Sequence, residues 1–252
     1  MTFGFEESGG YRWRCNGLQL NGVRLCNGSR IPLVKDTVFA YKNTPIHDTF
    51  SILYFWLVGT KMGQMETLSG CSAKTVRAVV KSIQRMLQQD LDEQSDCCIG
   101  GLDAQGNPIV VEIDESKFGK RKHNRGHRVD GVWVVGGVEK TAERKMFLTT
   151  VEKRNKPVLE RVISRFVKPG SIVRTDCWAA YNGLSLLDIQ IVHQTVNHSE
   201  GFNINGIHTN TIEGSWNGIK QKLPARKRTK TDMPWNLVEF IWRRKHLGDL
   251  SF

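Results

Sequence analysis

The fold is decided by a series of short apolar segments that starts with PIVVEID at residues 108–114. Two further segments follow, GVWVVGGVE at 131–139 and KMFLTTVE at 145–152. Their β-branched and aromatic residues are typical of strands, and the short polar turn between the last two favours a hairpin. We therefore predict three consecutive strands that open a sheet.

Helical and strand patterns alternate after these three segments. PVLERVISRFV at 157–167 has Pro at its first helical position and apolar residues at helical spacing. The following elements are a strand SIVRTD (171–176), a helical turn or two in CWAAYNGL, a strand DIQIVHQTV (188–196) and a helix NTIEGSWNGIKQKL (210–223). The order β-β-β-α-β-α-β-α predicts an α/β fold with a mixed sheet covered by helices, the order found in ribonuclease-H-like nuclease cores.

Three acidic residues occupy matching positions in this order. Asp114 ends the first strand, Asp176 ends the strand after the first helix, and Glu213 lies in the first turn of the last helix. Strand ends on one side of a sheet converge, so we expect the three carboxylates to be neighbours. Such a group repels itself unless cations are supplied, and hard divalent ions with oxygen ligands meet that need.

These residues predict a phosphodiester-cleaving site that holds two Mg²⁺ ions, with Mn²⁺ as a substitute. Two ions about 4 Å apart activate a water or a DNA 3′-hydroxyl on one side of the phosphate and stabilise the leaving oxygen on the other. Asp114, Asp176 and Glu213 are thus the candidate catalytic residues and metal ligands.

Each acid also has a structural interpretation. Asp114 is suited to start a turn, Asp176 to cap a short helix, and Glu213 to form a capping box. The agreement of three topological positions favours the catalytic interpretation. Glu112 shares the strand face of Asp114 and is a possible extra ligand, whereas Glu115 points to the opposite face. We place both outside the triad.

The charge balance indicates an anionic partner. The net charge is +11 and the isoelectric point is about 9.5, and a basic surface attracts phosphate backbones or anionic lipid. Lipid is the weaker partner, since the longest apolar stretch, FSILYFWLVG at 50–59, is far shorter than the roughly 20 residues that span a bilayer. The N-terminus shows no signal peptide, so we expect an intracellular protein.

Two clusters of cations and two histidines are candidate DNA contacts. A run without any intervening acid follows the first strand and comprises Lys117, Lys120, Arg121, Lys122, Arg125 and Arg128. A second cluster comprises Lys220, Lys222, Arg226, Lys227 and Arg228; it is suited to be a backbone clamp, a nuclear-import signal or a solvated tail. His198 and His208 are candidates either for DNA contact or for structural hydrogen bonds.

A helical module precedes the sheet. Its third helix, from about residue 72 to 89, carries Val76, Val80, Ile83 and Leu87 on one face. Lys74, Arg77, Lys81 and Arg85 lie about 200° round the helix, on the opposite face. Two interpretations stay open: the recognition helix of a DNA-binding helix-turn-helix, or an amphipathic helix with a solvated basic face.

The predicted domain organisation has four parts. They are a small β-rich region at 1–45, a helix-turn-helix module at 46–92, a linker at 93–107 and a ribonuclease-H-like catalytic domain with a basic C-terminal helix at 108–252. The six cysteines form no disulfide framework, and Cys15 and Cys26 are too far apart for a CxxC zinc knuckle.

Four segments resemble the DDE transposases of the Merlin superfamily and their bacterial insertion-sequence relatives. They are VEIDESKFGKRKHNRGHRVDGVWVVGGVE, IVRTDCWAAY, VNHSEGFNI and HTNTIEGSWNGIKQKLP, within about residues 105–245. Carried over by position, the catalytic acids of that family fall on Asp114, Asp176 and Glu213. Bacterial relatives often have a zinc ribbon with paired cysteines; Cys15 and Cys26 do not match it, so we carry no metal site over to that region.

The resemblance implies a cut-and-paste transposase. Such an enzyme binds double-stranded terminal inverted repeats, hydrolyses the transposon end with Mg²⁺ and transfers the freed 3′-hydroxyl into target DNA. It implies a homodimer in a synaptic complex, located in the nucleus, or in the cytoplasm of a bacterial host. Two other functions stay open: a catalytically inactive or domesticated DNA-binding regulator, and a structure-specific nuclease without strand transfer.

Overall fold

The computed structural model describes most of the chain in separate stretches. They are residues 2–6, 10–14, 19–20, 23–24, 30–32, 37–40, 44–93, 98–119, 131–196 and 209–247. The predictions for Lys120, Arg121, Lys122, Arg125, Arg128, His198, His208, Cys15 and Cys26 therefore lie outside the described residues, as does the side chain of Arg226. The chain divides into two compact units, Met1–Ile83 and Gln84–Phe252.

The first unit begins with short strands. β1 (Thr2–Glu6), β2 (Gly10–Arg14) and β5 (Arg30–Pro32) form an antiparallel sheet in the order β1-β2-β5. β3 (Gln19–Leu20) pairs antiparallel with β4 (Val23–Arg24).

Three helices follow the strands: α1 (Ile46–Leu57), α2 (Met62–Ser69) and α3 (Ala73–Glu93). Gly70 ends α2 with a left-handed φ of 69°, which glycine adopts without steric cost. The hydroxyl of Ser72 then caps α3 by accepting the N–H of Thr75 at 3.2 Å. α3 extends past residue 89, the predicted end, and the division between the two units falls within it.

The two faces of α3 are as different as their composition indicates. Val76, Val80, Ile83 and Leu87 are buried, whereas Lys74, Arg77, Lys81 and Arg85 lie on the outer face, partly or fully exposed. This segregation is compatible with both interpretations of the helix given above. A DNA-binding role for the four cations therefore stays a prediction.

A five-stranded mixed sheet organises the second unit. Its order is β12-β11-β7-β8-β9, from β7 (Val110–Phe118), β8 (Val132–Glu139), β9 (Met146–Val151), β11 (Ile172–Asp176) and β12 (Val192–Val196). The first three strands form an antiparallel meander, and β11 runs parallel to both β7 and β12. A two-stranded parallel ladder joins β6 (Ile99–Gly100) to β10 (Val167–Lys168). β6 lies within the predicted linker.

Helices cover both faces of this sheet. On one face, α4 (Lys156–Phe166) packs Leu159 and Ile163 against Ile113 and Val173. On the other, α5 (Asn210–Lys222) and α6 (Met233–Lys245) form a second core with β7, β8 and β9. The resulting unit is a mixed α/β fold with one helical layer on each side of the sheet. Among the described helices, none combines the length and apolar character needed to cross a membrane.

The element order agrees with the sequence-based order, and the differences are local. CWAAYNGL contains one 3-10 turn, Ala179–Tyr181, and a second, Leu184–Leu186, starts at its last residue. α4 starts one residue before Pro157, because the carboxamide oxygen of Asn155 caps the helix by accepting from the N–H of Val158.

The predicted end of the first strand is wrong. Asp114 does not end its strand, since β7 continues to Phe118. The extra residues stay paired antiparallel with β8, and the last pair of the register is Phe118 with Val132. The charged sequence after Asp114 hid this continuation, because Glu115 and Lys117 interrupt the apolar run that otherwise marks a strand.

Candidate active site

Asp114 and Asp176 lie side by side on neighbouring parallel strands. The register pairs Arg174 of β11 with Glu112 of β7, so two residues further along each strand Asp176 comes level with Asp114. Because side chains alternate between faces, both aspartates point to the face that α5 covers. A β11 shifted by one residue would place Asp176 on the other face.

Both aspartates are oriented by hydrogen bonds. Asp114 Oδ2 accepts the indole N–H of Trp216 at 2.9 Å, and its Oδ1 accepts the backbone N–H of Glu115 at 2.7 Å. Asp176 Oδ1 accepts the backbone N–H of Trp178 at 3.1 Å. This contact fixes the Asp176 carboxylate at the strand end. It is not the helix cap of the structural interpretation, since the N-cap of the 3-10 turn Ala179–Tyr181 is Trp178 and has no side-chain cap bond.

Glu112 holds the helix that carries Glu213. Its side chain is fully buried, and its Oε2 accepts the backbone N–H groups of Thr211 at 2.8 Å and Ile212 at 3.1 Å. Its Oε1 accepts the hydroxyl of Thr211 at 3.0 Å. A carboxylate therefore satisfies two of the backbone donors that a helix N-terminus leaves open. Glu112 anchors the first turn of α5 and is not available as a metal ligand in this arrangement.

The negative charges influence one another. Burial raises the pKa of Asp114, and the charges of Asp176 and Glu213 raise it further, while the hydrogen bonds from Glu115 and Trp216 lower it. Asp114 is thus within electrostatic reach of both Asp176 and Glu213. Such a set of oxygen donors is chemically suited to a hard divalent cation, whose charge would relieve the repulsion.

The carboxylates do not form a closed cluster. In the stretches that the structure describes, no group of three or more His, Cys, Asp or Glu side chains is arranged to hold a metal ion. Glu213 is exposed on α5, and Asp114 is turned towards Trp216. Metal ligation by all three residues therefore remains a prediction.

Glu115 lies on the opposite face of β7, as its position in the sequence predicts. The hydroxyl of Tyr181 donates a hydrogen bond to Glu115 Oε1. Burial, together with the charges of Asp114 and Asp176, raises the pKa of Glu115 to about 7, while the bond from Tyr181 and the charge of Arg154 lower it. The result is a second titratable carboxyl group directly behind the aspartates.

Arg154 lies between two tryptophans on this face, a feature that the sequence did not reveal. Its guanidinium carbon is 4.4 Å from the ring centroid of Trp133 and 4.5 Å from that of Trp178. Lys117 Nζ is 5.5 Å from the same Trp133 ring. These cation–π contacts place Arg154 against Trp178, two residues after Asp176, and hold Lys117 at the other tryptophan. The spacing of Trp133 and Trp178 in the chain gives no signal for the pairing.

The second basic cluster has mixed surroundings. Lys220 and Lys222 are exposed, with their ammonium groups 5.9 Å from the ring of Phe118 and 5.7 Å from that of Phe240. Lys227 is half-buried in a 3-10 turn. These three residues keep their predicted role as candidate DNA contacts.

Arg228 has a structural role that the sequence did not indicate. Its Nε and Nη2 donate to the carbonyl oxygen of Leu223 at 2.9 and 2.7 Å, and Nη2 also donates to that of Lys220 at 2.6 Å. It thereby satisfies open carbonyls at the C-terminal end of α5.

Among the described tryptophans, Trp216 is a core residue with 3% of its surface exposed.

Fold and site together define an α/β domain with acidic residues gathered at one end of a mixed sheet. The model of the ISXO2-like transposase domain matches residues 102–244, which is more than half of the chain. The chain therefore belongs to the family of ISXO2-like transposase domains, an insertion-sequence transposase family. A comparison with curated proteins finds no match.

One solved structure similar to this chain comes from a retroviral assembly. It is a chain in the cryo-electron-microscopy structure of the simian T-cell lymphotropic virus intasome in complex with PP2A regulatory subunit B56 gamma. The identity is 12%, the match covers 78% of this chain and 72% of that chain, and the TM-score is 0.35. A similarity at this level carries no argument about the site.

Proposed function

We propose that this protein is a DNA transposase of the DDE type, with a ribonuclease-H-like catalytic unit. The observation that carries the proposal is the juxtaposition of Asp114 and Asp176 on neighbouring parallel strands, with Glu213 on the helix that packs over them. Membership of a transposase family supports it, as does the order of β7, β8, β9, α4, β11, β12 and α5 along the chain. The finer assignment to the Merlin superfamily rests on the sequence motifs.

In this proposal Asp114, Asp176 and Glu213 hold divalent ions, Mg²⁺ by preference, with Mn²⁺ as a substitute. When bound, such ions activate the attacking hydroxyl and stabilise the leaving oxygen of a phosphodiester. Trp216 orients the Asp114 carboxylate, and the N–H of Trp178 fixes that of Asp176. Glu112 anchors the first turn of α5, so that Glu213 is presented from a fixed helix end.

The substrate in this proposal is double-stranded DNA: the terminal inverted repeats of the element and a target duplex. The reaction is hydrolysis at the transposon end followed by transfer of the 3′-hydroxyl, carried out by a homodimer on paired ends. The outward-facing cations of α3 contact duplex DNA as part of a helix-turn-helix. The nucleus, or the cytoplasm of a bacterial host, is the proposed location.

Nicking of duplex DNA that contains an element end tests the catalytic assignment. We expect the wild-type chain to nick it with Mg²⁺, and Asp176→Asn to lose nicking while still binding the duplex. Unchanged nicking by Asp176→Asn would remove the triad from the mechanism.

Two further outcomes separate the alternatives. Binding without any nicking by the wild-type chain would identify a DNA-binding regulator. Nicking without joining of a pre-cut end to a plasmid would identify a nuclease that lacks strand transfer.

A further inference from the structure

A groove of about 420 Å³ runs along one flank of α5, and none of the three proposed catalytic acids lines it. Its walls include Arg144 from the turn after β8, Asn210, Gly214, Ser215 and Gly218 from α5, and Arg244 from α6. Among the residues that the structure describes, no Asp or Glu lines the groove. Guanidinium, hydroxyl and carboxamide groups without an acid form a lining suited to an anion.

Both arginines line the same groove. Burial lowers the pKa of Arg244, and the positive charge of Arg144 lowers it further, so the two cations repel across the groove. Arg244 Nη1 lies 3.5 Å from Ser215 Oγ.

Arg144 has a φ of 48°, a left-handed conformation uncommon for a non-glycine residue. Its N–H donates to the hydroxyl of Thr141 at 3.1 Å, which holds this turn. An anion between the arginines would relieve their repulsion.

Two glycines leave the α5 wall of the groove without side chains. Gly214 and Gly218 are one helical turn apart. A glycine inside a helix costs about 1 kcal/mol relative to alanine, so each requires a reason. A Cβ at Gly214 would meet no atom within 4 Å, and one at Gly218 would meet only Phe240 at 3.9 Å. Packing within the described part of the protein therefore does not require glycine at either position. Glycine does allow another backbone to approach the helix closely.

We propose that this groove binds the sugar-phosphate backbone of DNA, with Arg144 and Arg244 contacting a phosphate and Gly214 and Gly218 admitting the strand. The choice of DNA as the anion rests on the proposed function. Glu213 lies next to Gly214 in the chain, about 100° round the helix. A duplex whose scissile phosphate meets Glu213 would thus cross the exposed side of α5 and continue into the groove. The backbone N–H groups of Thr211 and Ile212 at the start of α5 are not offered to the phosphate, since Glu112 already accepts them.

Binding of a short mixed-sequence duplex by the full chain tests the arginines. Binding is measured by fluorescence anisotropy over a series of salt concentrations. EDTA in the buffer prevents catalysis, and the mixed-sequence duplex removes the effect of sequence preference. We expect Arg144→Gln and Arg244→Gln each to weaken binding and to reduce the slope of log K against log salt by about 0.9 for each phosphate that is no longer neutralised. The matched control is Arg161→Gln, an exposed arginine on α4, which should leave the slope unchanged.

The glycines give a test that loss of folding cannot mimic. We expect Gly214→Ala and Gly218→Ala to raise thermal stability, because alanine favours the helix, and yet to weaken duplex binding. Gly63→Ala in α2, where a Cβ also meets nothing within 4 Å, calibrates the gain in stability.

Three results would overturn the proposal. The first is unchanged binding and salt slope in both arginine variants, and the second is unchanged binding in both alanine variants. The third is a change of sedimentation in the arginine variants without any effect on DNA binding, which would make the groove a protein interface. A chain that fails the nicking assay but shows the expected groove effects would refute the catalytic function and retain the groove.

Discussion

Replacing Glu115 by Gln should stabilise the folded chain at alkaline pH and have little effect at acid pH. Burial raises the pKa of Glu115 from 4.5 to about 7 in the folded state. Between these values the folded chain retains a proton that the unfolded chain releases, so this residue makes stability fall as pH rises from about 4.5 to about 7. Glutamine resembles the neutral acid and keeps an oxygen that can accept the hydroxyl of Tyr181.

The magnitude follows from the two pKa values. At about 1.4 kcal/mol per pKa unit, the difference between 4.5 and about 7 corresponds to about 3 kcal/mol above neutral pH. Glu115 is only partly exposed, so solvent screening does not remove the effect. The gain should be close to zero at about pH 4 and approach this limit at about pH 8.

Urea unfolding followed by tryptophan fluorescence measures the effect. EDTA in the buffer removes divalent ions, whose charge would offset the repulsion from Asp114 and Asp176. Glu143→Gln, at an exposed position in the turn after β8, is the control. A Glu115→Gln effect that is equal at about pH 5 and about pH 8, or a loss of stability at about pH 8, would refute the assignment of a buried, electrostatically raised carboxyl group.

Substitutions at three other positions test contacts in the catalytic unit. Glu112→Ala leaves three donors of α5 without their acceptor and should lower the free energy of unfolding by about 3 kcal/mol. Glu112→Gln should lower it by less. Equal losses for the two variants in urea unfolding would contradict a capping role. Gly137→Ala places a Cβ against the ring of Phe147 and should cost about 1–3 kcal/mol by overpacking. An unfolding curve equal to that of the wild type would disprove this. Arg228→Ala should lower the free energy of unfolding by about 1–2 kcal/mol. Arg228→Lys should not restore the loss, because an ammonium group cannot form the forked contacts. Unchanged stability with weaker DNA binding would return Arg228 to the candidate DNA contacts.

Element types were predictable because each depends on neighbouring residues. The apolar runs of β7, β8 and β9 and the helical spacing in α4 and α5 follow local rules of side-chain direction. The same rules placed Asp114, Asp176 and Glu213 at corresponding positions in the topology. They failed at the end of β7, where pairing with β8 carries the strand through charged residues.

The sequence by itself determined the order of elements, the basic character of the chain and the three acids set along that order. Only the tertiary structure decided what each side chain does at its position. Glu112 became a helix cap, and Trp216 became the partner of Asp114, because sheet register and helix packing join residues about a hundred positions apart. The groove between Arg144 and Arg244 arises in the same way. Such contacts depend on the relative placement of whole elements, and local periodicity carries no information about that placement.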